Sequence, residues 1–562
     1  MADVLMLPPG LWLILGGLLI AVSGQGWRLP LILGAPLLAL FGVWTLPLDA
    51  GWSVSLLGFD LQPVHSTTTG RLFATVFSLM ALAGGIYAWR IASRIELSAA
   101  FVYAGSAVCV TSAGDLLTLF LFWELMAIGS TLVLWAANTE QARSAAARYL
   151  LLHLFGGMLL LIGITGHAMD TGSLLFEPMQ TDSLAHWLIL AGFLLNAGAP
   201  PFSAWIADAY PEASPSGTVF LSAFTTKTAV FVLIMGFPGA QVLVPVGLFM
   251  IFYGIIYALL ENDMRRILAY SIVNQVGFMV TAVGIGTEMA LNGAAAHAFA
   301  HIIYKGLLLM SAGAVLYQTG RRKCTDLGGL FQSMPWTTLL GTIGALAISA
   351  FPFTSGFTTK SMISQAAADE HLLITWFALV AASAGVFLHA GIKFPWFVFF
   401  QKDSGLRPPD PPRNMLLAMW IFAGLCIGLG VWPEPLYALL AFPVEYQAYT
   451  GAHLVAQFQL LLFAGLAFFV MLPMMKRTLT ISLDFDWFYR RFFVTICDEF
   501  NHRGDRTLAH LSALLQAQWQ RLLSSLFRHH GPQGVLAQSW PTGSMALWAA
   551  VVLGVSLLMF FA

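Results

Sequence analysis

The sequence predicts an all-α polytopic membrane protein with about 14–16 spanning helices. Three observations carry this. Apolar runs long enough to cross a bilayer as a helix recur along nearly the whole chain. Of 562 residues, 58% are hydrophobic and only 9% charged, against about 25% charged in a soluble domain. The mean hydropathy is +0.78. No room remains for a sizeable soluble domain. A formal net charge of −1 offers nothing to nucleic acid. Cys109, Cys324, Cys426 and Cys497 are isolated, which argues against a disulfide framework, an iron–sulfur cluster or a thiolate zinc site.

The apolar runs fall near 8–24, 28–46, 70–90, 97–113, 115–136, 145–168, 184–202, 215–236, 239–260, 265–286, 291–318, 335–367, 372–400, 414–433, 454–475 and 544–561. The first lacks a basic leader and a small-residue cleavage site, so it reads as a retained span. Residues 50–66 alternate weakly and read as a short outer-face hairpin or loop. Residues 476–540 interleave charge with apolar residues at helical spacing, as in LAHLSALLQAQWQRLLSSLF. That pattern predicts an amphipathic helix on the membrane surface; a partner-binding or solvated tail is the alternative. The chain then divides into N-terminal spans (1–96), two five-span blocks (97–236 and 239–400), peripheral spans (414–475), the amphipathic segment (476–540) and a terminal span (541–562). Blocks with an odd number of spans insert in opposite orientations, so the two form an expected inverted repeat.

Charge assigns the sides. Arg90, Arg94, Arg143, Arg265, Arg266, Arg321, Arg322, Lys323, Lys402, Arg407, Arg413, Lys476 and Arg477 follow odd-numbered spans. Asp170, Glu177, Glu288, Asp369, Glu370 and Glu434 follow even-numbered ones. The positive-inside rule then places the N-terminus outside. DAYPEASPSG, after the seventh run, has no basic residue and does not fit this pattern.

A few ionisable residues interrupt the spans. Glu124 sits in LFLFWELMAIGS, where a mid-span charge costs roughly 2.5–3.5 kcal/mol on insertion scales. Lys227 sits in FTTKTAV, Lys360 in FPFTSGFTTK, and His389 and Lys393 in FLHAGIKF. His297, His301 and Lys305 are spaced i, i+4, i+8 and so share one helix face. Such a stripe suits proton hopping through water. HAFAH lacks the glutamate of HExxH, so metal is disfavoured there. Two runs carry breakers, Pro200 and Pro201 in NAGAPPFSAW and Pro352 in AISAFPFTSGF. Proline frees carbonyls that only protein or water can satisfy within a membrane. Paired broken helices point to an ion site. Each feature also has a plain structural reading: a hydrogen-bonded acid, packed histidines, a snorkelling lysine or simple kinks.

Together, FWELMAIGS, PPFSAWIADAYPEA, FTTKTAV, ENDMRRILAYSIVNQVG, the 297–305 series and FPFTSGFTTK resemble the antiporter-like proton-translocating subunits of Mrp-type antiporters, respiratory complex I and membrane-bound hydrogenases. The resemblance covers roughly residues 70–400 and looks closest to the D-type branch of the Mrp antiporter subunits. It implies two inverted five-helix repeats, each with a broken helix, and a mid-membrane line of charge and water. It assigns Glu124 as the ion-pair glutamate and Lys227 as the central relay. His297, His301 and Lys305 become the connecting relay, and Lys360 the lysine of the second broken helix. His389 and Lys393 are accessory candidates. The family's lysine on the first broken helix is replaced by Asn196. Glu124 would then pair with Lys227, rest protonated, or serve a half that does not conduct. The tail, longer than in common members of the D-type branch, resembles the lateral helix of the family's largest subunit.

The resemblance implies a proton-conducting subunit of a multi-subunit Na⁺/H⁺ exchanger in a bacterial inner membrane, with other membrane subunits as partners and no cofactor or resident metal. Alternatives are a subunit of a complex I-, hydrogenase- or bicarbonate-uptake-type assembly, or a structural subunit that has lost conduction. A membrane transferase using His301 as base would need a substrate loop that the neighbouring connections do not offer. No flavin, quinone or cluster motif is evident.

Overall fold

The computed structural model describes residues 7–56, 58–473 and 484–562. The chain forms two compact units, Met1–Asp486 and Trp487–Ala562.

The first unit opens with α1 (Leu11–Val22) and α2 (Arg28–Thr45). Strands β1 (Gly51–Leu56) and β2 (Phe59–His65) pair antiparallel, with Gly51 opposite His65, as a hairpin where one was expected. Helices α3 (Thr68–Ala88), α4 (Arg94–Thr111), α5 (Leu116–Trp135), α6 (Glu140–Thr171) and α7 (Leu184–Ala197) follow. Next come the short α8 (Trp205–Ala209) and α9 (Gly217–Leu221), then α10 (Thr225–Gly236), α11 (Leu243–Leu260), α12 (Met264–Ile285) and α13 (Glu288–Thr319). The unit closes with α14 (Pro335–Ile348), α15 (Ser355–Asp369), α16 (Leu373–Val386), α17 (Arg413–Val431), α18 (Glu434–Tyr437) and α19 (Gly451–Met471). Beyond α16 the chain continues as π-helix over Phe387–Lys393 and Trp396–Phe400.

Twelve helices among the described residues are long and apolar enough to span a membrane, and three shorter apolar ones join them: Gly10–Val22, Leu184–Ala197 and Pro335–Ile348. The last two explain why the long-helix count is below the predicted 14–16. They are α7 and α14, each the leading part of a broken helix.

Local signals set the ends. Asp115 caps α5, its Oδ1 accepting from the amide of Thr118 at 2.7 Å, and its Oδ2 ties in the hairpin through the amide of Gln62 at 2.9 Å. Thr287 caps the start of α13, and Gly320, at φ 65°, supplies the left-handed residue at its end. α7 stops at Gly198, at φ 81°, just before Pro200 and Pro201. α14 stops before Pro352, and α15 restarts at Ser355.

α12 and α13 form the centre. Their apolar windows are 100% and 94% buried, against 44% for α11. Polar residues on α12 and α13 therefore face protein, not lipid. At one end of the bundle, buried Arg265 donates to the carbonyls of Pro211 and Ala213, both at 2.8 Å, and of Ser214 at 2.9 Å. Arg322 bridges Asp263 at 2.7 Å and Glu212 at 2.9 Å. The ENDMRR motif thus grips the PEASP connection, which explains how a loop without basic residues is held.

The described part of the second unit comprises a π-helical turn (Phe488–Phe492), α20 (Phe493–His530) and α21 (Thr542–Phe561). α20 buries no residue within the unit. Leu508, Leu511, Leu515, Trp519, Leu522 and Leu526 recur at helical spacing along it and are exposed. The described part of 476–540 is helical over Phe493–His530 with this apolar spacing; residues 476–483, with Lys476 and Arg477, lie outside the described residues.

Candidate functional site

Lys227, His297, His301, Lys305, Lys360 and His389 are all buried, and the fold gathers them around α10, α12, α13 and α15. α9 and α10 are separate helices, although the sequence reads as one run over 215–236. Lys227 explains the interruption. Its ammonium donates to the carbonyl of Ser222 at 2.6 Å and to Oγ1 of Thr226 at 3.0 Å. A lysine at the start of one helix thus satisfies a freed carbonyl at the end of the preceding one.

The α13 stripe lies where the i, i+4, i+8 spacing predicts, but its three members differ in partners. Nε2 of His297 lies 3.0 Å from Oε1 of Gln275 on α12, and its Nδ1 lies 3.3 Å from Oγ1 of Thr359, the neighbour of Lys360. The Tyr304 hydroxyl donates to the same Gln275 oxygen at 3.1 Å. Both ring nitrogens of His301 are buried without a hydrogen-bond partner among the described residues. The Lys305 ammonium donates to Oγ of Ser271 at 2.8 Å. Electrostatic coupling joins the set: His301 is within range of Lys227, Lys305 and His297, and His297 is within range of Lys360.

Nζ of Lys360 has no hydrogen-bond partner among the described residues and stands 4.5 Å from the ring centre of Phe278, a cation–π placement. Lys360 also lines a cavity of about 930 Å³ whose other polar walls include Ser361, Gln365, Asp369, Glu445 and His453. His389 bonds the carbonyl of Gly385 through Nδ1 at 2.9 Å and leaves Nε2 unpartnered among the described residues. Lys393 is fully engaged elsewhere: its ammonium donates to the carbonyls of Ala258 (3.0 Å), Leu259 (2.6 Å) and Glu261 (2.6 Å) at the end of α11.

Glu124 stands apart from this set. Its Oε1 is buried and unpartnered among the described residues. It lies against Gly157 of α6, where a Cβ would come within 2.0 Å of it. Asn196 ends α7 with both amide atoms buried and unpartnered among the described residues. A Glu124–Lys227 pair, one of the sequence expectations, is not formed in this structure. The breaker residues are where expected, in the connections between α7 and α8 and between α14 and α15.

Sequence reasoning gave no role to Gln275, Tyr304, Ser271 or Thr359. Gln275 lay in the quoted NQVG stretch, but its meeting with α13 is tertiary. No group of three or more His, Cys, Asp or Glu side chains placed to hold a metal occurs among the described residues.

Broken helices around a buried series of lysines and histidines define an antiporter-type membrane subunit. Residues 113–386, just under half of the chain, match the family described as NADH:quinone oxidoreductase/Mrp antiporter, TM, and the chain as a whole resembles antiporter-type membrane subunits. It is 29% identical over 357 residues to the A/B-type subunit of a probable K(+)/H(+) antiporter of Rhizobium meliloti, a match spanning 59% of this chain and 36% of that one. It is 28% identical over 345 residues to the D-type subunit of the Na(+)/H(+) antiporter of Alkalihalophilus pseudofirmus, spanning 58% and 70%. A chain of the Mrp complex from Dietzia sp. DQ12-45-1b shares the fold, with a TM-score of 0.71 and 20% identity over 83% of this chain and 98% of that one.

Proposed function

We propose that this chain is a proton-conducting subunit of a multi-subunit cation/proton antiporter of the Mrp type, exchanging Na⁺ in an inner membrane, N-terminus outside. The observation that carries this is the buried series Lys227, His301, Lys305, His297 and Lys360, in which His301 couples electrostatically to Lys227, Lys305 and His297, and His297 to Lys360. The kinship with K(+)/H(+) and Na(+)/H(+) antiporter subunits supports exchange as the use of that series. Two inverted five-helix repeats, 97–236 and 239–400, are the proposed frame, with α7 and α14 as the corresponding leading halves of their broken helices.

In this reading a proton reaches Lys227, passes His301, with Lys305 one turn to its side, to His297, and moves by way of Thr359 to Lys360. The cavity beside Lys360 opens the last step to water. Protonation of one lysine disfavours protonation of its neighbour by like-charge repulsion, so charge hops instead of accumulating. The neutral His301 ring, both of whose nitrogens are unpartnered among the described residues, presents a lone pair ready to take the next proton.

A second reading, a subunit that has lost conduction and only anchors partners, is favoured by Asn196, a neutral residue at the first break. The test is to purify the complex from its native membrane, identify its subunits, and reconstitute it in vesicles. Lys360→Ala should abolish Na⁺-driven proton flux with assembly intact. Unchanged flux would favour the anchoring reading.

A further inference from the structure

Three buried polar groups on three helices lack partners among the described residues in the first half of the chain: Oε1 of Glu124 on α5, Nε2 of His153 on α6 and both amide atoms of Asn196 on α7. Glu124 lies where α5 packs on α6, and Asn196 is on α7, which packs along the same helix. His153 precedes Gly157 by one helical turn, and Gly157 makes room for the Glu124 carboxyl. The His153 ring stacks on Tyr149 (3.9 Å between centres) and meets Trp205 edge-on (4.7 Å). The Trp205 indole donates to the carbonyl of Leu195, the residue before Asn196, at 3.0 Å.

Local chemistry fixes the state of the imidazole. Nδ1 of His153 lies 2.9 Å from the Tyr149 carbonyl. A carbonyl only accepts, so Nδ1 carries the hydrogen and Nε2 presents a lone pair. His153 is 1% exposed, and stacking on Tyr149 leaves the buried Nε2 lone pair uncompensated among the described residues.

Hydroxyl contacts run from Tyr149 as far as Thr225. Its hydroxyl donates to Oγ of Ser130 at 2.9 Å and lies 3.3 Å from Oγ1 of Thr225. The Tyr103 hydroxyl lies 2.6 Å from the same Thr225 oxygen. Thr225 precedes Thr226, whose hydroxyl accepts from the Lys227 ammonium.

We propose that His153 is a proton-carrying residue of the first half, set between Glu124 and Lys227 beside the neutral amide of Asn196. This rests on the conducting reading above. In the forward step the O–H bond of the Glu124 acid breaks and an N–H bond forms at Nε2, leaving a carboxylate and an imidazolium. The proton then leaves Nε2 toward Lys227, and the neutral ring returns. The titratable groups around it are Glu124 from α5, Tyr103 from α4, Tyr149 on its own helix, Tyr210 beyond α8, and the Arg148–Asp208 pair, which bond each other at 2.8 Å.

The test uses the intact complex in vesicles, with proton flux read against pH. His153→Gln keeps a polar side chain but cannot titrate. It should cut flux at least tenfold, and adding Asn196→Lys should restore a large part by supplying another carrier on α7. Wild-type flux and pH profile in His153→Gln would overturn the proposal. If that variant does not assemble, Asn196→Asp decides: a carboxylate beside the imidazole should displace the flux-against-pH curve, and an unmoved curve overturns the proposal. Lys360→Ala, run in parallel, separates the two claims. Flux lost there but kept in His153→Gln removes His153 alone; flux kept in both removes the conducting reading.

Discussion

The Lys305 ammonium is held by the Ser271 hydroxyl at 2.8 Å, whereas the Lys360 ammonium has only the face of Phe278 beside it among the described residues. A hydrogen bond to a charged group contributes about 1.5–3 kcal/mol. The two lysines therefore sit in unlike surroundings, one hydrogen-bonded and one over an aromatic face. Ser271→Ala should weaken proton retention at Lys305 and lower flux about tenfold, with Lys305→Ala lowering it further. Proton uptake by vesicles under an imposed Na⁺ gradient measures both.

Gln275 gathers two donors on one oxygen, from His297 and Tyr304. Gln275→Leu removes the acceptor and leaves His297 Nε2 and the Tyr304 hydroxyl only their 3.3 Å contact with each other, and a buried polar group that goes unpaired costs about 1–3 kcal/mol. Flux should fall tenfold or more and the thermal midpoint should drop. Tyr304→Phe, which deletes only one donor, should cost less than threefold in the same assay.

Lys393 is predicted to act on stability. It fills the carbonyl end of α11 through three backbone oxygens, where a cation is favourable. Lys393→Met should destabilise the complex by about 1–3 kcal/mol while flux per assembled copy stays at the wild-type level. A loss of flux without a change in thermal midpoint would instead make Lys393 part of the relay.

Gly157→Ala tests the seat of Glu124 without touching the acid. The added methyl would fall 2.0 Å from Oε1, so the carboxyl must move. Flux should drop to the level of Glu124→Ala, read in the same vesicles.

The start of the tail should respond to pH. Tyr253 donates to Asp484 at 2.7 Å, and Tyr270 donates to the same carboxyl. Burial raises the Asp484 carboxyl above the ordinary aspartate range, outweighing those hydrogen bonds. A raised value favours the protonated acid in the docked state. That stabilisation is complete at acid pH and is lost as pH rises through the raised value. Exchange of the Phe485 amide, which donates to Asp484 at 2.7 Å, should therefore quicken toward neutral pH beyond its intrinsic dependence. Asp484→Asn should abolish the excess.

Much of the fold was legible because the membrane imposes a length and a polarity on every span. The predicted runs are all helical in the described residues, and Pro200, Pro201 and Pro352 mark real breaks. The interruption before Lys227 was hidden, since LSAFTT contains neither proline nor glycine and the lysine that stabilises it acts through space. The α13 stripe was legible from spacing alone. Gln275, Tyr304 and His153 were not, because one polar residue in an apolar run gains meaning only when the facing helix is known. Lys393 shows the converse: a buried lysine in a suggestive motif is fully engaged by the end of a neighbouring helix.

The grip of Arg265 on the carbonyls of Pro211, Ala213 and Ser214 has a mechanical consequence. It rivets the stretch before Lys227 to the stretch after residue 261 at one membrane face. Rocking those two stretches apart there would strand a guanidinium and three carbonyls together. Those two stretches are thus fastened to each other at that face, and separating them there carries the cost of baring those buried polar groups.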